Sequence, residues 1–280
     1  MGLDILVFTI LVWLGSLVGG FLGALTGLGG GVIIVPLLTL GFGVDIRYAV
    51  GASLVSVIAT SSGAAAAYVK EGFTNMRIGM FLEIFTTIGA LAGAYLAGVI
   101  SGGIIAVIFG GVLLYTVALS LRRPQAENLT AAPDRLATRL RMNGSYPSLD
   151  GEKSYCPAAV PAGSALMFLA GALSGLLGIG SGTVKVLALD RAMRLPFKVS
   201  TTTSNFMIGV TAAASAGAYL KRGWIDPGLA MPVMLGVLLG SVLGTRVLAT
   251  SRSARLRQVF SVVILLVGID MIINGLTGRI

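Results

Sequence analysis

The chain has 280 residues and a net charge of +9; hydrophobic residues make up 55% of it and charged residues only 11%. A soluble domain carries about 25% charged residues, so this chain cannot cover a water-facing surface. Histidine is absent and cysteine occurs once, which removes a disulfide framework, a Cys-based metal site and the commonest metal ligand and general base.

From the N-terminus, residues 3–42 form an apolar block with no basic residue before it. The hydrophobicity runs far past the length of a signal-peptide core, so this block is expected to stay in the membrane. It is interrupted by Gly27-Leu28-Gly29-Gly30-Gly31. Residues 48–69 and 78–121 follow as further apolar stretches, with Glu83 inside the second. A polar segment, 122–157, rich in Pro, Arg and Ser, reads as a cytoplasmic linker, partly disordered and without chemistry of its own. Residues 158–189, 206–220, 227–248 and 259–276 then resume the apolar pattern, the last containing Asp270. Most of these blocks reach the roughly 18 residues of a bilayer span.

A shift of 151 residues superposes the two halves without a gap. Gly27, Gly29 and Gly31 then meet Gly178, Gly180 and Gly182; Ser53 meets Ser204 and Thr60 meets Thr211. The expected domains are an N-terminal membrane repeat at 1–121, the linker at 122–157 and a C-terminal membrane repeat at 158–280. If each glycine-interrupted block crosses once, the repeats are parallel; if it is a broken pair, they are inverted. With the Arg-rich linker inside and Lys185 set aside, five crossings per half put 15 Lys/Arg inside and 4 outside, against 11 and 8 for four crossings. The positive-inside rule therefore favours inversion. The expected fold is an all-α integral membrane protein of two homologous, inverted repeats, each with four to five membrane helices including a glycine-broken one. The basic residues between spans account for the positive charge, and nucleic acid is not an expected partner.

Paired interrupted helices in corresponding positions are what inverted-repeat transporters use to bind substrate near the midplane. Gly29, Gly30 and Gly31, with Gly180, Ser181 and Gly182, could offer backbone or hydroxyl donors to an anion. The competing explanation is tight helix packing through small residues. Lys185 replaces Ile34 of the first half, and an ammonium in a span costs roughly 2.5–3.5 kcal/mol on insertion scales. It should therefore face a cavity or a partner; an ion pair with Asp190 or snorkelling to an interface are the alternatives. Ser53, Ser204 and Asn205 are further candidate anion ligands, with helix capping and interhelical bonding as the structural alternative. Glu83 and Asp270 are candidate carriers of a coupling proton, and hydration near a span end is the plainer reading of each.

The run from Gly27 to Pro36, the run from Gly178 through Lys185 and Val186, and the Lys198–Ser215 stretch with its Thr-Ser-Asn core resemble the sulfite exporter TauE/SafE family of membrane permeases. The resemblance covers both halves and departs from the pattern at Ser181, usually glycine, and at Leu187, where proline often stands. It implies a multi-pass protein of the bacterial inner membrane that exports sulfite, another sulfur oxyanion or an organosulfonate.

The reading is a secondary transporter of small anions working by alternating access, with no cofactor, no metal and no catalytic residues. An anion channel and a non-transporting assembly or sensor protein, using the linker to bind a partner, are the rival readings. A membrane enzyme would need a nucleophile–base pair or metal cluster, neither of which is visible in the sequence. The expected partners are a small anion and the lipid bilayer; a homo-oligomer is compatible with the sequence.

Overall fold

The structure is a computed structural model that describes residues 2–26, 30–70, 73–121, 134–148, 151–250 and 253–280. Helix α1 spans Gly2–Thr26, and α2 begins at Gly31–Pro36 and continues as a π-helical turn over Leu37–Gly41. Helices α3 (Ile46–Lys70), α4 (Met76–Leu96) and α5 (Gly102–Leu121) follow. The second half repeats the order: α7 (Val160–Leu177), then α8 (Gly182–Leu187) with its own π-helical turn at Ala188–Ala192, then α9 (Phe197–Lys221), α10 (Pro227–Thr250) and α11 (Ser253–Leu276). Among the described residues five helices are long and apolar enough to cross a bilayer, and shorter apolar helices accompany them. Large apolar side chains such as Ile5, Ile84, Leu220 and Leu266 are exposed on the outside, where lipid tails would cover them. The chain is an all-α, multi-pass membrane protein.

The π-helical turn appears in both halves, although α2 carries Pro36 where α8 carries Leu187. Proline is therefore not what imposes it.

Helix pairing is also duplicated. Helix α1 packs on α10 as α7 packs on α4; α3 packs on both α9 and α10, and α9 on both α3 and α4. Glycine stripes make the approach close. Gly89 and Gly93 of α4 lie on the backbone of Phe168 and Ala172, while Gly171 and Gly175 of α7 lie on Thr86 and Ala90. Gly236, Gly240 and Gly244 of α10 lie on Trp13, Leu17 and Phe21. In lipid, where apolar surface gains little by helix association, such backbone contact is a main source of adhesion. Gly103 meets Gly275 and Gly110 meets Gly268, so α5 and α11 run antiparallel.

Helices α3 and α9 are antiparallel as well, and two matching cation–aromatic clasps mark their ends. The Arg47 guanidinium at the start of α3 lies 5.4 Å from the Trp224 ring, just beyond α9. The Lys198 ammonium at the start of α9 lies 5.4 Å from the Phe73 ring, just beyond α3. Around Trp224 the first clasp is enlarged: Arg222 also faces the ring at 5.0 Å, and its Nη1 donates to Ala94 O at 2.8 Å. Arg47 donates to Ala97 O and Ile100 O, so both arginines satisfy carbonyls at the end of α4.

The polar segment 122–157 departs from the expected loose connector. Residues 122–133 lie outside the described chain, but α6 (Arg135–Arg139) and a hairpin of β1 (Gly144–Ser148) and β2 (Gly151–Tyr155) are built from its remainder. Apolar and aromatic residues hidden in a polar sequence explain this. Ala137, Met142, Tyr146 and Tyr155 are buried with Ile78, Leu82, Met193 and Val199 of the helices. Asn75 caps α4 and its Nδ2 donates to Met142 O and, at 2.8 Å, to the Tyr155 hydroxyl. Asp134 caps α6 through one carboxylate oxygen and accepts from Val160 N, at the start of α7, through the other.

Candidate functional site

The two glycine-rich breaks touch. Gly31 is buried so closely that a Cβ there would lie 2.8 Å from both Gly178 O and Ser53 Oγ. Ser53, fully buried on α3, donates to Gly178 O at 2.7 Å. Gly178 and Gly180 both adopt positive φ (69° and 67°), which lets the chain reverse between α7 and α8. Ser181 follows at φ 45°, in a region that costs a residue with a Cβ roughly 1–2 kcal/mol. Its hydroxyl offsets part of that by donating to Ala170 O at 2.6 Å. Gly30 is buried against Val237 of α10, and the Gly182 carbonyl accepts from Ser204 Oγ at 3.2 Å. Gly29 lies outside the described residues.

In this conformation Ser53, Ser181 and Ser204 all donate to backbone carbonyls. Ser53 and Ser204 tie α3 and α9 to the second break, and Ser181 ties that break to α7, which is the packing role weighed against the ligand role. Asn205 is half-buried on α9, one residue beyond Ser204.

Lys185 is fully buried, and its Nζ lies 2.5 Å from Thr211 Oγ1 on α9. Thr211 Oγ1 lies 2.7 Å from Glu83 Oε1 on α4. An ammonium can only donate and a carboxylate can only accept, so the hydroxyl relays between them: Lys185 donates to Thr211 and Thr211 donates to Glu83. Thr87 adds a longer bond to Glu83 Oε1 at 3.3 Å, whereas Glu83 Oε2 is buried without a hydrogen-bond partner. Lys185 and Glu83 thus belong to one cluster, assembled from α4, α8 and α9. Thr211, which joins them, carried no role in the sequence reading. Ser200, Ser204, Thr211 and Ser215 are all buried on α9 and share one helical face, and that periodicity was the available signal.

Asp270 is elsewhere. It is exposed on α11, and its carboxylate accepts from Asn274 Nδ2 at 2.8 Å, four residues further along the same helix.

A family model described as "Sulfite exporter TauE/SafE" matches residues 12–271. A probable membrane transporter protein of Bacillus subtilis, YunE, is 28% identical over 277 residues, 96% of this chain and 98% of the relative. A probable membrane transporter protein of Xylella fastidiosa is 30% identical over 262 residues, 92% of each chain. A third, from Methanocaldococcus jannaschii, is 23% identical over 96% of this chain and 97% of its own. No solved structure matches.

Proposed function

The chain belongs to the sulfite exporter TauE/SafE family, and from that premise we propose that it is a secondary transporter that moves small sulfur oxyanions or organosulfonates across the cell membrane. The observation that carries the reading is the fully buried Lys185 ammonium, three residues after the second glycine break and bonded to an uncharged hydroxyl. A buried cation of this kind is rare in a membrane span and marks a substrate or ion path. The anion takes its charge partner from Lys185 and its remaining donors from the two breaks, from Asn205, and from Ser53, Ser181 and Ser204 once these three let go of their carbonyls.

Alternating access follows from two inverted halves, 1–121 and 158–280, that rock about this centre. The antiparallel courses of α3 with α9 and of α5 with α11, and the mirrored clasps, support the inversion. The polar segment 122–157 lies on the cytoplasmic side in this reading, with most of the Lys and Arg. An outward-moving anion could be driven by the inside-negative potential, at about 2.3 kcal/mol per charge per 100 mV.

The test is thermal stabilisation of the purified protein by sulfite, thiosulfate, sulfate, short alkanesulfonates and carboxylates. An anion at about 100 times its Kd should add about 2.7 kcal/mol of stability. The expected outcome is selective stabilisation by a sulfur anion, lost in Lys185→Ala and partly kept in Lys185→Arg. No response to any anion, or an unchanged response in Lys185→Ala, would refute the reading.

A further inference from the structure

The Lys185–Thr211–Glu83 chain also specifies what must happen when an anion arrives. With no substrate the buried cluster holds one cation and one carboxylate, joined through a hydroxyl, and is neutral. An anion seated at Lys185 would make it net negative, in a site where each uncompensated charge costs several kcal/mol. One proton on Glu83 restores neutrality. Glu83 Oε2 is the atom placed to take it, because Oε1 is held by Thr211 and Thr87 while Oε2 is buried without a partner.

We propose that Glu83 is the resting counter-ion of Lys185 and is released from it by protonation, so that binding one anion takes up one proton. This rests on the anion-transport reading above. The step is balanced: a carboxylate and a proton form a carboxylic acid, the ammonium keeps its charge, and the substrate anion replaces the carboxylate as its partner. Thr211 is a positioning residue, since its single hydroxyl proton can serve Glu83 or turn elsewhere.

Among the described residues no other titratable side chain lies beside the Lys185–Glu83 pair. Helix α7 has no ionisable side chain along its whole length, and α9 presents Thr211 while its own Lys198, Tyr219 and Lys221 lie toward its two ends. On α8 the ionisable residue is Lys185, with Asp190 and Arg191 in the π-helical turn beyond it. Around Glu83 on α4 itself the neighbours are the hydroxyls of Thr86 and Thr87, and Arg77 sits at the exposed start of the helix, where it donates to Arg141 O.

The experiment uses methanesulfonate and ethanesulfonate, monoanions of strong acids whose single charge is fixed across the range, with the full chain in detergent. Proton uptake on mixing is followed with a pH-indicator dye, and Kd is measured from pH 5 to 9. The wild type should take up one proton per anion and lose affinity by up to tenfold per pH unit as pH rises. Glu83→Gln should bind either probe with no proton uptake and no pH slope. Lys185→Arg, whose guanidinium cannot be deprotonated, should keep the slope, and Thr211→Ser should keep it as well. Binding by the wild type without proton uptake would overturn the coupling and leave anion transport standing. A slope that survives in Glu83→Gln but vanishes in Lys185→Arg would assign the proton to Lys185 and overturn the proposal. Failure of both probes to bind at any pH would overturn the anion reading, and the coupling with it.

Discussion

Removing either end of the buried Lys185–Thr211–Glu83 chain should cost more stability than removing both ends together. The two bonds of 2.5 and 2.7 Å put Nζ and Oε1 at most about 5 Å apart. At that separation and an effective dielectric of about 20, the attraction is about 3 kcal/mol. Lys185→Met strands a buried carboxylate and Glu83→Gln strands a buried ammonium; such single truncations cost about 3–5 kcal/mol. The double variant Lys185→Met/Glu83→Gln leaves neither charge and should fall within about 2 kcal/mol of wild type, since apolar or neutral replacement of a whole buried pair is often tolerated. The assay is equilibrium unfolding of all four proteins in mixed micelles at neutral pH, read as a double-mutant cycle. Additive costs, with a coupling below about 0.5 kcal/mol, would refute the reasoning, because the two groups would then not meet as charges.

Other expectations follow from the breaks and the hairpin. Gly31→Ala would drive a methyl against Gly178 O and Ser53 Oγ, so the folded yield or melting temperature should drop sharply; wild-type melting would contradict the contact. Ser53→Ala leaves the Gly178 carbonyl without that donor and should cost about 1–3 kcal/mol in the same assay. Ser181→Gly trades a strained backbone for a lost bond and should be near neutral, whereas Ser181→Ala keeps the strain, loses the bond and should be less stable by about 1 kcal/mol. Burial pushes the Tyr155 phenol up from its ordinary pKa, so the fold favours the neutral form. Hairpin docking should hold below about pH 10 and weaken above it, and Tyr155→Phe should remove that pH dependence, measured by hydrogen exchange across residues 134–155.

The membrane class, the two-fold element order and the glycine breaks could be read from hydropathy and spacing because each is local or periodic. Lys185 could be singled out because a lone ammonium in a span is costly. Its partner could not be named: Asp190 is five residues away along the chain, whereas Glu83 is about a hundred residues earlier and meets Lys185 only because α4 and α9 pack together. Asp270 and Glu83 looked alike as single acids in apolar stretches, and only packing separates the exposed one from the buried one. The folded part of the linker was illegible for a related reason. Tyr146, Tyr155 and Met142 are scattered among polar residues with no helical period, and their burial depends on a helix surface the local sequence does not contain. Leu187 stands where the resemblance often has proline, yet the π-helical turn forms there as it does after Pro36.

The unequal clasps at the two ends of α3 and α9 have a consequence for a chain made from one unit used twice. In the proposed inverted arrangement, a perfectly duplicated protein would have no means of telling its two sides apart, and its outward-open and inward-open forms would be equally populated. Here one side is fastened by Arg47 and Arg222 around an indole, with five further bonds to carbonyls around the end of α4, and the other by Lys198 on a phenyl ring and by Asn75 N donating to Thr203 Oγ1. In the proposed cycle, about 1 kcal/mol between the two fastenings would favour opening at the weaker end about fivefold. Such a difference sets which side rests open, while the net direction of flow follows the gradients of the transported species.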